Sequence, residues 1–149
     1  MQLNLPKYEL KIKQEDDKNF VFDNFRKKYV ALTPEEYVRQ HVALFLVNEK
    51  GFPSGLTATE HSLKVYEMER RADIVNYNTA GEIVMITECK APSVKISQKT
   101  FDQIARYNMT FKAKFLLVTN GINHYCCEFL PNAKYKFLHE IPNFKDIQS

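Results

Sequence analysis

Residues 83–87 form a short apolar run that is closed by Glu88, Cys89 and Lys90. A run of this length is typical of a buried β-strand. Alternate side chains of a strand share a face, so we expect Glu88 and Lys90 to project together and Cys89 to turn to the other side. The run therefore predicts a core strand that carries a carboxylate and an ammonium group to one point at its end.

Asp73 lies fifteen residues before Glu88 and opens a second candidate strand with Ile74 and Val75. Residues 76–81 can turn the chain back so that the two strands pair antiparallel. That pairing would bring two carboxylates and one lysine to a single place. Carboxylate oxygens are the hard ligands that Mg²⁺ prefers, and a neighbouring lysine can position a water or offset the charge of a phosphate. The arrangement indicates a metal-dependent nuclease centre.

The triplet alone decides little, because acid-x-lysine triplets are common in charged sequences. Two others begin at Glu9 and at Asp16, and neither has an acidic residue upstream at strand distance. On the triplet alone, a strand that ends in solvated charges is as good an interpretation as a functional site.

Residues 97–111 have the apolar periodicity of a helix that packs one face on a core. The apolar stripe consists of Phe101, Ile104, Ala105 and Phe111. Gln103 and Tyr107 lie four residues apart, along the border of that stripe. Such a polar pair is an ordinary feature of helix flanks, so its meaning depends on its place after the Glu88 strand.

The remaining elements predict an α/β fold. Thr33 is a helix cap, Pro34 suits the first helical position, and Glu36 is the reciprocal acid of a capping box, so a helix should run from there to about residue 49. Further strands are predicted near 56–65, at 115–119, at 124–129 and, as an edge strand, at 135–138, while residues 143–149 should fray. The core order is helix, three strands, helix, two strands in a mixed sheet flanked by helices, and residues 1–31 add an N-terminal hairpin.

Composition is compatible with one domain of 149 residues that handles nucleic acid. The net charge of +3 permits binding to phosphates. We expect the phosphate contacts to come from Lys95 and Lys99, at the start of the second helix. The cysteines and histidines show no zinc-ligand spacing.

The start of the chain lacks the features of a signal peptide, and the longest apolar run, 42–47, is too short for a membrane span. We therefore expect a cytoplasmic protein with no membrane partner.

Asp73, the Glu88-x-Lys90 triplet and the Gln103-x-x-x-Tyr107 pair, in this order, resemble the PD-(D/E)XK nuclease superfamily. More closely, five stretches resemble the N-terminal nuclease domain of type I restriction enzyme R subunits, over roughly residues 33–130. The stretches are 34–40, 70–75, 88–92, 101–108 and 119–121. Ala72 stands where a proline often precedes the aspartate. The motor domains that follow the nuclease in those subunits have no counterpart in these residues, so we expect a stand-alone form of the domain.

The resemblance implies a restriction-endonuclease-like fold and a nuclease that uses Mg²⁺, with Mn²⁺ as a substitute, to cleave DNA. Asp73 and Glu88 would hold the metal, with the backbone carbonyl of Cys89 as a third ligand, and Lys90 would orient the water. Gln103 and Tyr107 would position the DNA strand, together with Lys95 and Lys99. In this family a glutamate of the first helix approaches the metal, and Glu36 is the matching position, so its roles as cap and as ligand both stay open.

Partners and the alternative function follow from the same resemblance. Restriction–modification proteins are the expected partners, and double-strand cutting by a chain with one centre would require a homodimer. The alternative is a module that keeps the scaffold to bind nucleic acid or protein without cleaving. A rise in melting temperature with Mg²⁺ or Mn²⁺ would favour the enzyme.

Overall fold

The computed structural model describes residues 2–148, which form two β-sheets flanked by helices. The elements in chain order are β1 (Ile12–Glu15), β2 (Lys18–Asp23), β3 (Lys28–Ala31), α1 (Pro34–Asn48), β4 (Thr57–Val65), β5 (Met68–Tyr77), β6 (Ile83–Cys89), α2 (Gln98–Asn108), β7 (Phe115–Thr119), β8 (His124–Leu130), β9 (Lys134–Phe137) and α3 (Phe144–Ile147). No helix within residues 2–148 combines the length and the apolar character needed to cross a membrane.

The larger sheet has the strand order β4-β5-β6-β7-β8-β9. Its neighbours pair antiparallel except β6 and β7, which run parallel because α2 carries the chain across one face of the sheet between them. The predicted order of helix, three strands, helix and two strands is confirmed, and β9 is the expected edge strand. This mixed sheet with flanking helices is the restriction-endonuclease-like fold that the sequence predicted.

Both faces of the larger sheet are buried, each against one helix. The cluster on the α1 side includes Val38, Val42, Leu46, Ile74 and Val84. The cluster on the α2 side includes Phe101, Ala105, Val75, Ile86 and Val118. Cys126 and Cys127, neighbours on β8, separate into the two clusters, as strand alternation requires. Burial raises the pKa of both thiols to about 12, so both stay protonated.

The first three strands form a separate antiparallel sheet in the order β1-β2-β3. The prediction of a hairpin for residues 1–31 is therefore incomplete, because residues 28–31 add a third strand. A segment of four residues is too short for its periodicity to show in the sequence. What supports it is a cross-strand pair: Phe22 lies opposite Tyr29, and their rings meet edge to face with centroids 5.3 Å apart.

Asp23, at the end of β2, anchors this small sheet to the rest of the fold. Its carboxylate is fully buried and accepts hydrogen bonds from the backbone N–H groups of Phe25 and Arg26. It also accepts from Arg26 Nε and from the Thr59 hydroxyl on β4, both at 2.6 Å. Burial alone would raise the pKa of Asp23, but the bonds from Thr59 and Arg26 outweigh it and lower the pKa.

The expectation that residues 143–149 fray is wrong for most of that segment. Phe144, at the start of α3, is buried in the cluster on the α1 side, where its ring lies 5.4 Å from that of Phe52. Its N–H donates to the carbonyl oxygen of Lys50. Ser149 lies outside the described residues. Aromatic burial therefore holds a polar terminal segment that shows too little periodicity to be recognised from sequence.

We predict that Asp23→Asn lowers the free energy of unfolding by about 3 kcal/mol, because it leaves Arg26 and Thr59 without their buried charged acceptor. Since the pKa of Asp23 is lowered by folding, its contribution is present above the unfolded pKa and is lost as the pH falls. Urea denaturation near neutral pH measures the loss. Asp17→Asn is the control, because Asp17 lies in an exposed turn with φ 62°, which asparagine tolerates. Equal urea midpoints for the two variants would contradict the anchoring role.

Candidate active site

The pairing of β5 with β6 brings Asp73 and Glu88 together. Ile74 lies opposite Thr87 and Val75 opposite Ile86, so the same register places Asp73 opposite Glu88. The backbone N–H of Cys89 donates to Asp73 Oδ2 at 2.8 Å and fixes the carboxylate against the end of β6. The two acids recognised in the sequence therefore share one end of the sheet.

Cys89 contributes its backbone rather than its side chain. The side chain is fully buried in the cluster on the α1 side, and burial together with the charge of Asp73 raises the pKa of its thiol. A strand residue projects its N–H and carbonyl to the same side, so the carbonyl of Cys89 faces β5, as its N–H does. This orientation is compatible with the predicted role of the carbonyl as a ligand.

Glu88 lies in a site that disfavours its charged form. Burial raises its pKa to about 7, and the negative charge of Asp73 adds to the rise. Lys90 and Arg70 oppose it, the latter from 3.7 Å. Burial of Glu88 and the charge of Asp73 together therefore outweigh the effects of Lys90 and Arg70 on this pKa.

A cavity of about 270 Å³ joins this end of the sheet to α2. Its wall includes Glu88 and Lys90 from the sheet side and Gln103 and Tyr107 from the helix. The remaining lining residues are Arg70, Ile104 and Asn108. The structure therefore brings the helix pair next to the strand triplet, as the sequence predicted for their positions.

Lys95 and Lys99 stand apart from this cavity. Both are exposed and lie at the head of α2, before and after Ser97, whose hydroxyl accepts from the N–H of Thr100 and caps the helix. Neither lines the cavity wall. Contact with phosphates outside the cavity stays a prediction for this pair.

Arg39, on α1, is a central residue that sequence reasoning missed. Its Nε and Nη2 atoms donate to Asp73 Oδ1 at 3.2 and 2.7 Å, and Nη2 also lies 2.7 Å from a carboxylate oxygen of Glu60. Nη1 donates to Glu36. Burial would lower the pKa of Arg39, but the charges of Asp73, Glu36 and Glu60 raise it. A permanently charged guanidinium therefore lies among carboxylates from three elements.

Glu36 connects to the centre through Arg39. Its N–H donates to the Thr33 hydroxyl at 3.0 Å, so the predicted helix cap is present. The predicted reciprocal bond is wrong, because the Glu36 carboxylate turns to Arg26, Arg39 and Gln40. Two arginines compete for this carboxylate, which outweighs the modest gain of a second capping bond. Its role as a metal ligand stays a prediction.

Glu60 reaches the centre through an irregularity of β4. The pairing of β4 with β5 matches Thr59 with Ile74 and His61 with Ala72, so it skips Glu60 and Asp73. Glu60 has φ 46°, a left-handed conformation that is costly for a residue with a side chain. The strand distortion directs Glu60 to Arg39, and no sequence pattern marks such a distortion.

Arg70, on β5, is the other residue that sequence reasoning missed. Its guanidinium stacks on the ring of Tyr107. Its Nη1 atom is buried and makes no hydrogen bond within the described part of the chain. Burial lowers the pKa of Arg70, and Glu88 opposes that shift. The only sequence signal was a basic pair shortly before Asp73.

Two carboxylates and a lysine at the end of paired strands, in a mixed sheet flanked by helices, define a restriction-endonuclease-like nuclease domain. The family model for the Type I restriction enzyme R protein N terminus matches residues 34–142. The chain belongs to this family and is a nuclease-like domain related to type I restriction R subunits.

Two solved structures are similar to this chain, and the first of them shares its fold. A fragment of a protein from Vibrio vulnificus YJ016, assigned as an HsdR subunit of a type I restriction enzyme, has 19% sequence identity and a TM-score of 0.56. The match covers 78% of this chain and 24% of that one, so the chain spans about a quarter of its length. A DUF820 protein from Anabaena variabilis ATCC 29413, assigned as a nuclease, has 12% identity over 91% of this chain and 80% of that one, with a TM-score of 0.46. No curated protein matches the chain in sequence.

We predict that Glu88 makes the metal-free protein less stable as the pH rises. Its folded pKa of about 7 lies above its unfolded value, so the folded state keeps a proton that the unfolded chain releases. This contribution is complete below the unfolded pKa and is lost as the pH rises through about 7. Glu88→Gln should remove a loss on the order of 2 kcal/mol between about pH 5 and pH 8.

Urea denaturation in EDTA across that pH range measures the difference. Glu69→Gln, an exposed β5 residue bonded to Ser62, is the control and should keep the wild-type slope. Parallel curves for wild type and Glu88→Gln would show that Glu88 ionises normally in the folded protein.

Proposed function

We propose that this chain is a Mg²⁺-dependent nuclease that cleaves phosphodiester bonds in DNA. The observation that carries the proposal is the convergence of Glu88, Lys90, Gln103 and Tyr107 on one cavity, with Asp73 paired beside Glu88. Membership of the type I restriction family supports DNA as the substrate and a restriction–modification context. Since one centre cuts one strand at a time, double-strand cutting would need a homodimer.

The donor set fits a divalent cation. Asp73, Glu88 and the Cys89 carbonyl offer only hard oxygen atoms, which suit Mg²⁺. Within residues 2–148 no three His, Cys, Asp or Glu side chains form a metal-binding group. Mg²⁺ commonly takes one or two carboxylates and completes its coordination with water and phosphate oxygens. The negative charge of Asp73 beside the partly buried Glu88 supports the fit, because a bound cation would offset both carboxylates. When bound, the ion would polarise the phosphate and favour ionisation of the attacking water.

The other residues around the centre have separate roles in binding and positioning the substrate. Lys90 orients the attacking water and offsets charge that develops on the phosphate. Gln103 and Tyr107 hold the nucleic-acid backbone against the cavity. Arg70 is positioned by its stack on Tyr107 to offer its unpaired Nη1 to a phosphate oxygen. Lys95 and Lys99 act as further phosphate contacts along the strand.

Arg39 is a positioning residue in this proposal. By binding Oδ1 of Asp73 while the Cys89 N–H binds Oδ2, it fixes the orientation of the carboxylate. Oδ1 already accepts two hydrogen bonds from Arg39, whereas Oδ2 accepts one from the Cys89 N–H and has a second lone pair that a cation could use. The orientation of Asp73 is thus set before any ligand arrives.

The same contact favours a second candidate function, a module that binds nucleic acid or protein without cleaving. Arg39 already supplies positive charge to Asp73, so this half of the centre is stable without a divalent ion. The response of the melting temperature to a divalent metal ion distinguishes the two candidate functions. A nuclease should gain melting temperature with Mg²⁺ or Mn²⁺ by mass action, whereas a module that binds no metal should not.

We predict that Asp73→Asn and Glu88→Gln each lose cleavage by at least about 100-fold, because each removes a charged ligand. They should also lose the rise in melting temperature with Mn²⁺. Gels of single-stranded and duplex DNA incubated with purified protein and Mn²⁺ measure the first effect, and thermal melts the second. Glu69→Gln is the control. Unchanged Mn²⁺ affinity in both variants by calorimetric titration would remove these carboxylates from the metal site.

We predict that Lys90→Ala separates metal binding from chemistry. Turnover should fall by about 100-fold or more, since a positioned group acts mainly in the transition state. The Mn²⁺-induced melting shift and DNA affinity should change little. Lys64→Ala, an exposed lysine on β4, serves as the matched control. Wild-type turnover in Lys90→Ala would make this lysine a solvated strand-end residue.

A further inference from the structure

The small N-terminal sheet carries three aromatic rings on one face. Phe20 and Phe22 alternate along β2 with Val21 and Asp23, which are buried on the opposite face. Tyr29 lies opposite Phe22 on β3 and shares its face. All three rings are half-buried, and none belongs to either core cluster of the larger sheet. The core therefore does not account for them.

Exposed lysines border these rings. Lys13 Nζ lies 4.3 Å from the centre of the Tyr29 ring, and Lys11 Nζ lies 5.5 Å from that of Phe22. A third exposed lysine, Lys18, helps to line a depression of about 370 Å³. The full lining is Lys13, Glu15, Asp16, Lys18, Phe20 and Tyr29. Alternating aromatic and basic side chains on a sheet face are a chemical match for stacked bases and their phosphates.

The interaction energies of the rings distinguish two possible roles of this face, which are stabilising the small sheet and binding a ligand. The ring pair of Phe22 and Tyr29 contributes roughly 0.2–1 kcal/mol to pairing of its strands. Each exposed lysine over a ring adds about 0.5–1 kcal/mol. Phe20 makes no ring-to-ring contact among residues 2–148, so this stabilisation does not extend to it. By contrast, a base stacked on an aromatic side chain contributes about 1–3 kcal/mol. A base stacked on Phe20 would therefore add a stabilisation that the ring contacts of the folded chain do not give to this side chain.

We propose that this face, formed by Lys11, Lys13, Phe20, Phe22 and Tyr29, binds single-stranded nucleic acid. Bases stack on the rings, and the lysines contact the phosphates. The inference deepens the proposed function and rests on it in taking the bound strand as the substrate of the nuclease centre. Duplex nucleic acid is excluded from this mode, because its bases are stacked on one another and expose no face to the rings.

Acidic and basic residues lie together at one end of this sheet. Glu15 and Asp16 lie at the β1–β2 turn, where Glu15 is paired with Lys13 at 3.4 Å and lies opposite Lys18. Lys11 lies toward the other end. That end is joined to the rest of the fold, because β2 ends in Asp23, which binds Thr59 and Arg26.

The link continues into the candidate active site. Arg26 donates to Asp23 and to Glu36, and Glu36 is bonded to Arg39 beside Asp73. The sheet that carries the rings is therefore hydrogen-bonded to the candidate active site through its opposite, buried face. An acidic peptide would satisfy the lysines but would leave the ring faces unused, so nucleic acid is the better match.

Fluorescence anisotropy with labelled oligothymidine, in EDTA so that no cleavage occurs, tests the proposal on the whole chain. Phe20→Ala should weaken binding by about tenfold or more, which corresponds to loss of one stacked base. Lys11→Gln should weaken binding and reduce the slope of log affinity against log salt by about 0.7. Binding to duplex DNA should change little in Phe20→Ala. Oligouridine in parallel distinguishes DNA from RNA as the source of the strand.

Matched variants separate stacking from stability. Phe22→Leu and Tyr29→Leu keep apolar bulk but remove the ring, so they should weaken oligothymidine binding while the melting temperature falls by no more than about 4 °C, the loss expected from the ring pair. Tyr66→Ala removes a ring that is 88% exposed elsewhere, and Lys134→Gln removes an exposed lysine on β9; both should bind as wild type does.

Wild-type affinity in Phe20→Ala and in both leucine variants would overturn the proposal, whatever the cleavage assays show. A labelled oligoglutamate peptide that binds in a ring-dependent way while oligothymidine does not would also overturn it. Ring-dependent binding of oligothymidine without cleavage under any metal would support the surface and remove the proposed nuclease function instead.

Discussion

The candidate site depends on one buried ion cluster, in which the Arg39 guanidinium binds carboxylates from α1, β4 and β5. Asp73, Glu36 and Glu60 could not share a small buried volume as anions without a cation among them. Removing one partner of a buried ion pair typically costs about 3–5 kcal/mol, because the remaining charge is left uncompensated. Arg39 therefore determines both the docking of α1 on the sheet and the orientation of Asp73.

The centre consequently has two electrostatic halves. On the α1 side, Asp73 has a close guanidinium and a backbone N–H. On the α2 side, Glu88 has Arg70 at 3.7 Å and the charge of Lys90, and its pKa is raised to about 7, mainly by burial. Strong perturbation of one member of a carboxylate pair in a cleft is typical of functional sites. The asymmetry indicates where further positive charge, from an ion or a substrate contact, would be most favourable.

Much of this arrangement follows from local patterns. The apolar run before Glu88 and the turn after Val75 predict the pair of strands and the end at which Asp73 and Glu88 meet. The helical stripe from Phe101 predicts the crossover helix. These predictions are possible because the period and the length of an element are local signals. Arg39 and Glu60 could not be recognised in that way. Arg39 meets Asp73 across 34 residues of chain, and Glu60 depends on a skipped pair between two strands. Long-range ion pairs and local distortions of a strand arise from tertiary packing.

The irregularity at Glu60 has a consequence for solubility as well. β4 is an edge strand of the larger sheet, and its nine residues make it long enough to recruit a strand from another molecule. A left-handed residue near its middle breaks the flat row of backbone donors and acceptors that such recruitment needs. The distortion that places the Glu60 carboxylate beside Arg39 therefore also disfavours intermolecular β-pairing and fibril growth at this edge.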